Sequence, residues 1–152
     1  MPRHPKLPVV GSVASPAKPC GTCPYSRLTP VGVWSETEYR DLLASDRDQI
    51  GKVYGCHLAD GTVCRGWLAD QKRRGLPSIA LRLALMSDAR AARAAGGEKG
   101  KLGATYEAVD PDDPDLYDSI EEMAEANRGR DFPSRDPRAR KLLKRKRRRR
   151  RR

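Results

Sequence analysis

The sequence is short of several things that common functions need. It has a single Phe, two Trp and five Tyr in 152 residues, so its bulky apolar side chains can fill only a small core, and small cores are usually stapled by disulfides or a metal. It has only two histidines, His4 and His57. No nucleophile–histidine–acid set and no two-histidine zinc-hydrolase helix is built from those. A glycine-rich phosphate loop is missing, as is any internal repeat. No apolar run is long enough for a signal peptide or a membrane span, so a cytoplasmic chain is expected. Acidic residues are missing from one end. Between Arg138 and Arg152 there are twelve Lys or Arg and no acid, and the remainder is close to neutral, although the whole chain carries +11. The basic character therefore belongs to an appendage and not to the domain surface.

Four cysteines are present: Cys20, Cys23, Cys56 and Cys64. The first two form a C-x2-C pair in a loop of Gly, Thr and Pro, and the second two are separated by seven residues. A reducing compartment argues against disulfides. A thioredoxin-like couple at Cys20 and Cys23 asks for a hydrophobic strand leading into a helix at the first cysteine, where this chain has "SPAKP" before the pair and Pro24 after it. Buried cysteines without a ligand role are a further alternative. The pattern is best read as four thiolates on one ion, with zinc as the cofactor and an iron–sulfur cluster as the alternative. Gly21 permits a tight turn that aims both first sulfurs one way. Cys64 falls at an expected helix start, where the helix dipole favours a thiolate. His57 is an alternative ligand or an outer-shell group. On a strand it would face away from its neighbour Cys56.

Local signals divide the chain into a flexible Pro-rich lead (1–18), a four-cysteine domain (19–129) and a basic tail (130–152). Ser35 and Glu38 form a capping box, with Trp34 and Tyr39 as a hydrophobic staple, opening a helix that runs to about Ser45. "GKVYGCHL" (51–58) reads as a strand, and "ADG" (59–61) as a turn. Cys64 opens a helix that stops at Gly75. Ser78 caps a longer one closed by Gly96 and Gly97, with Ile79, Leu83 and Met86 lining its inner face and Leu81 and Leu85 widening it. "GGEKGKLG" reads as a linker and "ATYEAV" as another strand. Asp110, Asp112, Asp113 and Asp115 form a solvated turn without the Gly and distal Glu of a calcium loop. Ser119 and Glu122 cap a last helix that runs through Asn127, with Gly129 as its stop. The fold class expected is α+β: three to four helices and a short two- to three-stranded sheet, stapled by metal. Trp34 and Trp67 read as core.

The block Lys141, Lys144, Arg145, Lys146, Arg147, Arg148, Arg149, Arg150, Arg151 and Arg152 repels itself and suits a polyanion. Nucleic acid is the expected partner, bound without sequence preference and with strong salt dependence. A merely solubilising terminus is the bland alternative. No amphipathic helix or lipidation signal accompanies it to suggest a membrane.

"PCGTCPYSRLTPVGVWSETEYRDL", "GCHLADGTVCRGW" and "LALRLAL" together resemble the small four-cysteine proteins of domain-of-unknown-function family 6283, found in actinobacteria and their phages. The likeness covers about Pro19 to Met86, with an echo at "YDSIEEMAEANRG", and leaves the arginine tail outside. It implies a cysteine-bound metal and no assigned function. "CGTCPYSR", "GVWSETEY" and the basic end also resemble WhiB-like iron–sulfur regulators, which place another cysteine where this chain has Thr29. The function expected is therefore a small intracellular four-thiolate metal-binding protein with a basic tail for nonspecific nucleic-acid association. The alternatives are a redox-responsive iron–sulfur DNA-binding regulator and a thiol oxidoreductase using Cys20 and Cys23.

Overall fold

Helices begin where the sequence supplies its own caps. In a computed structural model describing residues 17–47, 53–58 and 61–129, Ser35 N donates to Glu38 Oε2 at 2.9 Å and Glu38 N to Ser35 Oγ at 3.2 Å, opening α1 (Glu36–Arg47). Trp34 and Tyr39 are both buried in the core behind that cap. Cys64 stands before α2 (Arg65–Arg73), and Ser78 Oγ accepts Leu81 N at 3.3 Å to start α3 (Ile79–Ala94). Gly75 (φ +74) and Gly96 (φ +80) follow α2 and α3 in the left-handed conformation that favours glycine. Two more helices follow, α4 (Lys101–Ala108) and α5 (Ile120–Ala126). Ser119 Oγ accepts Glu122 N at 3.1 Å.

The α+β expectation is corrected: the described residues hold five helices and no strand or sheet. Two isolated antiparallel bridges, Gly55 with Val63 and Ser26 with Leu116, are all the β-type pairing they contain. In the expected strand at 51–58, Cys56 N donates to Thr62 O at 2.7 Å and Cys64 N to Tyr54 O at 2.8 Å. That is one rung of a hairpin. A lone hairpin is marginal in water, and among the described residues this one is joined by no third strand.

The second expected strand, "ATYEAV", is helix α4. A six-residue run cannot separate strand from helix by periodicity. What decides is a cap supplied from another helix. Asp88 of α3 accepts Gly103 N at 2.9 Å on Oδ2, in the first turn of α4. Gly100 sits so close that a Cβ there would lie 2.0 Å from Asp88 Oδ2. The supposed linker is thus a tertiary cap, and it turns Leu102 into the core.

Asp88 also explains the second correction. Ile79, Leu83 and Met86 do not face inward; they are exposed, while Leu81 and Asp88 are buried. The helix is apolar on two sides, and the contact with α4 selects the side that carries the carboxylate. Elsewhere α2 packs on α4 and α1 on α5, around Trp67, Leu68, Leu81, Ile120 and Met123. No described helix is long and apolar enough to cross a membrane. The lead up to residue 16, residues 59 and 60 of the expected turn, and the whole tail from 130 lie outside the described residues.

Candidate metal centre

The first cysteine pair lies on a loop that has little regular structure yet is mostly buried from Thr22 to Ser26. Its backbone is held in two tight turns, Cys23 N to Cys20 O at 2.9 Å and Ser26 N to Cys23 O at 3.1 Å. Side chains satisfy the rest. Trp34 Nε1 donates to Thr22 O at 2.8 Å, Thr29 Oγ1 to Cys23 O at 2.7 Å and Tyr39 hydroxyl to Pro24 O at 3.3 Å. The C-terminal part of the chain clamps the same loop: Arg27 N donates to Asp115 O at 2.8 Å and Tyr117 N to Tyr25 O at 2.9 Å. Arg27 also pairs with Glu122 at 2.6 Å. The loop's shape is therefore fixed by residues up to 95 positions away.

The hairpin rung and the start of α2 bring the second pair to this loop. Cys23 Sγ and Cys64 Sγ lie 3.9 Å apart across 41 residues of sequence. Four thiolates at the usual metal–sulfur distance of about 2.3 Å around a tetrahedral ion would be separated by about 3.8 Å. Cys20 contacts both Cys23 and Cys56. All four are free thiols; Cys23, Cys56 and Cys64 are buried and Cys20 is partly exposed. The sulfur contacts run as a chain, 56 to 20 to 23 to 64. Among the described residues, no group of three or more His, Cys, Asp or Glu side chains closes around a single point. The donor chemistry and the spacing of Cys23 and Cys64 fit a thiolate-bound ion such as zinc.

Electrostatics divide the thiols. Contact with Cys23, then with Cys56, holds Cys20 well below the ordinary thiol range against the opposing effect of burial, and His57 adds to the lowering. Cys23 is pushed well above that range by its contacts with Cys20 and Cys64 and by burial. Contact with Cys23 lowers Cys64, and the backbone N–H groups of Trp67 and Gly66 favour its thiolate further. Cys64 occupies the N-cap position without a formal capping hydrogen bond, so its sulfur meets the positive end of the helix in place of an oxygen.

His57 is not placed by strand alternation, because residues 56 and 57 are not in a strand. Its ring stands beside Cys20, with Nε2 3.9 Å and Nδ1 4.0 Å from Sγ, and Nε2 is 2.5 Å from Thr22 Oγ1. Trp34 meets it edge to face, with ring centroids 5.1 Å apart. The residues of the basic block, Lys141 to Arg152, lie outside the described residues.

Sequence reasoning missed Gly66. A Cβ there would lie 2.7 Å from Cys23 Sγ and 2.6 Å from Tyr25 Cβ, so only glycine lets α2 approach the first pair. A glycine in the first turn of a short helix, two residues after a cysteine, was the available signal, since glycine costs about 1 kcal/mol there relative to alanine. Thr22 and Thr29 gave no signal at all. A cavity of about 450 Å³, lined by Cys20, Arg65, Val109 and Leu116 among others, opens beside the partly exposed thiol.

A small helical domain that brings four free cysteines together is thus the class that this geometry defines. The model of the "Family of unknown function (DUF6283)" matches residues 15–147, and the chain belongs to that family. The match extends well beyond the cysteine region and takes in the first residues of the basic block. No curated protein and no solved structure matches the chain.

Proposed function

We propose that the protein is a small metal-binding protein in which Cys20, Cys23, Cys56 and Cys64 hold one zinc ion, and in which the basic tail associates with nucleic acid. The observation that carries the first half is the 3.9 Å separation of Cys23 and Cys64 sulfurs from segments 41 residues apart, at a close approach that Gly66 permits. The ion supplies a cross-link between the first loop, the hairpin rung and α2. Structural zinc brings on the order of 10–16 kcal/mol of binding free energy that is also folding free energy, against a net stability of roughly 5–15 kcal/mol for a domain. The protein's residues do the rest: Trp34 and Thr29 hold the carbonyls of Thr22 and Cys23, and the amides of Gly66 and Trp67 stabilise a thiolate at Cys64.

Metal analysis of full-length protein purified without oxygen tests this. One zinc per chain, lost in Cys64→Ser, is the expected result. Iron with sulfide and visible charge-transfer bands would put an iron–sulfur cluster in its place, and a metal-free folded chain would overturn both. For the tail, deleting 141–152 is expected to abolish most retention on DNA and leave the metal content intact; unchanged retention refutes the assignment. The charge block itself supports this half of the reading, with retention falling steeply as salt rises.

A second reading draws on the asymmetry of the first pair. Cys20 is partly exposed and favours its thiolate while Cys23 is buried and favours its thiol, the division of labour of a dithiol couple. Thiol reactivity against pH in metal-free protein separates the two readings. An ordinary pKa at Cys20 removes the oxidoreductase.

A further inference from the structure

The side of α3 turned away from α4 carries apolar residues that the rest of the described chain leaves uncovered. Leu83 and Met86 are 53% and 54% exposed, Ile79 is 38% exposed, and Leu76 just before the helix is 68% exposed. Ile79, Leu83 and Met86 step by four and then three, and the same alternation continues to Arg90 and Arg93. They form one stripe along the helix, at the spacing that pairs one helix with another. Monomeric surfaces scatter such residues singly; a continuous row of them marks a contact site.

The exposed charges along this stripe are all of one sign. Arg27 pairs with Asp118 and Glu122, Arg40 with Glu36, Arg74 with Asp46 and Asp70, and Arg128 with Glu125. Among the described residues, Arg82, Arg90 and Arg93 take part in no ion pair. The helix has one acid, Asp88, and that is buried against α4. The exposed face therefore presents an apolar row with three uncompensated guanidinium groups beside and beyond it.

We infer that this face docks an acidic amphipathic helix of another protein. The three–four spacing asks for a helix whose own apolar row can interlock with it, and the arginines ask for carboxylates flanking that row. A second copy of this chain fits badly. Parallel pairing sets Arg90 and Arg93 against their own counterparts. Antiparallel pairing sets them against Leu83 and Ile79, leaving the cations without carboxylates. Nucleic acid would meet the arginines but bury none of the apolar row. This inference stands apart from the metal site, since none of its residues is a proposed ligand.

The test uses the full-length protein and a labelled synthetic helical peptide with leucines at three–four spacing flanked by glutamates, read by fluorescence anisotropy. A second peptide of equal charge, with glutamines replacing the leucines, reports binding to the basic tail alone. The leucine peptide is expected to bind at least about tenfold more tightly than the glutamine peptide. The pair Leu83→Ser with Met86→Ser and the pair Arg90→Glu with Arg93→Glu are each expected to weaken it by about tenfold or more. Helix content and melting temperature should stay unchanged, because these side chains are exposed. Equal binding of the two peptides, or full binding by either double variant, overturns the proposal. So does a concentration-dependent dimer that Leu83→Ser with Met86→Ser abolishes, which would give the face to a second copy. Displacement of the leucine peptide from α3 by duplex DNA, lost in Arg90→Glu with Arg93→Glu, would give it to nucleic acid.

Discussion

The loop from Cys20 to Trp34 and helix α3 are opposites. The loop has almost no regular secondary structure, yet Thr22, Cys23, Tyr25, Val33 and Trp34 are buried. Helix α3 is the longest helix described, 16 residues, yet three of its large apolar side chains face solvent. Local regularity and burial are separate outcomes. A helix satisfies its own backbone and can stand half exposed; a buried loop must find partners for each N–H and C=O. Here those partners are Trp34, Thr29, Tyr39, Asp115 and Tyr117, which is why a segment of Gly, Pro and Thr becomes tightly held. The loop is expected to answer to deletions, and α3's outer face to be nearly silent in stability.

The largest effect tests the staple. Cys64→Ser in zinc-loaded protein is expected to cost much of the ion's on the order of 10 kcal/mol contribution, enough to leave the chain unfolded at room temperature in far-UV circular dichroism. A cooperative melt close to that of the parent would show that packing alone holds the loop.

The next concerns a buried acid under the same loop. Asp70 is pushed up to about 6 by burial, with Arg74 opposing that and Asp46 adding to it. A carboxyl raised above its ordinary 3.8 binds its proton more tightly folded than unfolded, so its effect on stability is most favourable below pH 3.8 and is lost as pH rises to about 6. Linkage puts the loss at about 3 kcal/mol. Urea unfolding at pH 4 and pH 6 should show this decline in the parent and a flattened profile in Asp70→Asn. An equal decline in both would assign it to other groups.

Gly66→Ala sharpens the comparison by reversing a rule. In an ordinary helix the change stabilises by about 1 kcal/mol. Against Cys23 and Tyr25 it should destabilise by about 1–3 kcal/mol through overpacking, visible as a lower urea midpoint and weaker metal retention. A stabilised variant would mean that α2 and the loop do not meet as described.

The smallest effect falls on α3. Asp88→Ala is expected to cost about 1 kcal/mol, the usual worth of a helix cap, and to speed amide exchange within α4 specifically. Uniform exchange across all helices would show that Asp88 is not the cap of α4.

Sequence alone was informative wherever cause and effect were neighbours. Ser35 with Glu38, Ser78 with Leu81 and Ser119 with Glu122 lie three residues apart, so the starts of α1, α3 and α5 could be read directly. The C-x2-C turn belongs with them. Tertiary structure decided what depended on distant partners. Asp88 reaches 15 residues to make α4 a helix where its composition suggests a strand. The same contact chose which of two apolar sides of α3 would be buried, and it chose the one bearing a charge. The meeting of Cys23 with Cys64, and the glycine that allows it, likewise required the folded chain, because sequence records which donors exist and only packing records which of them approach.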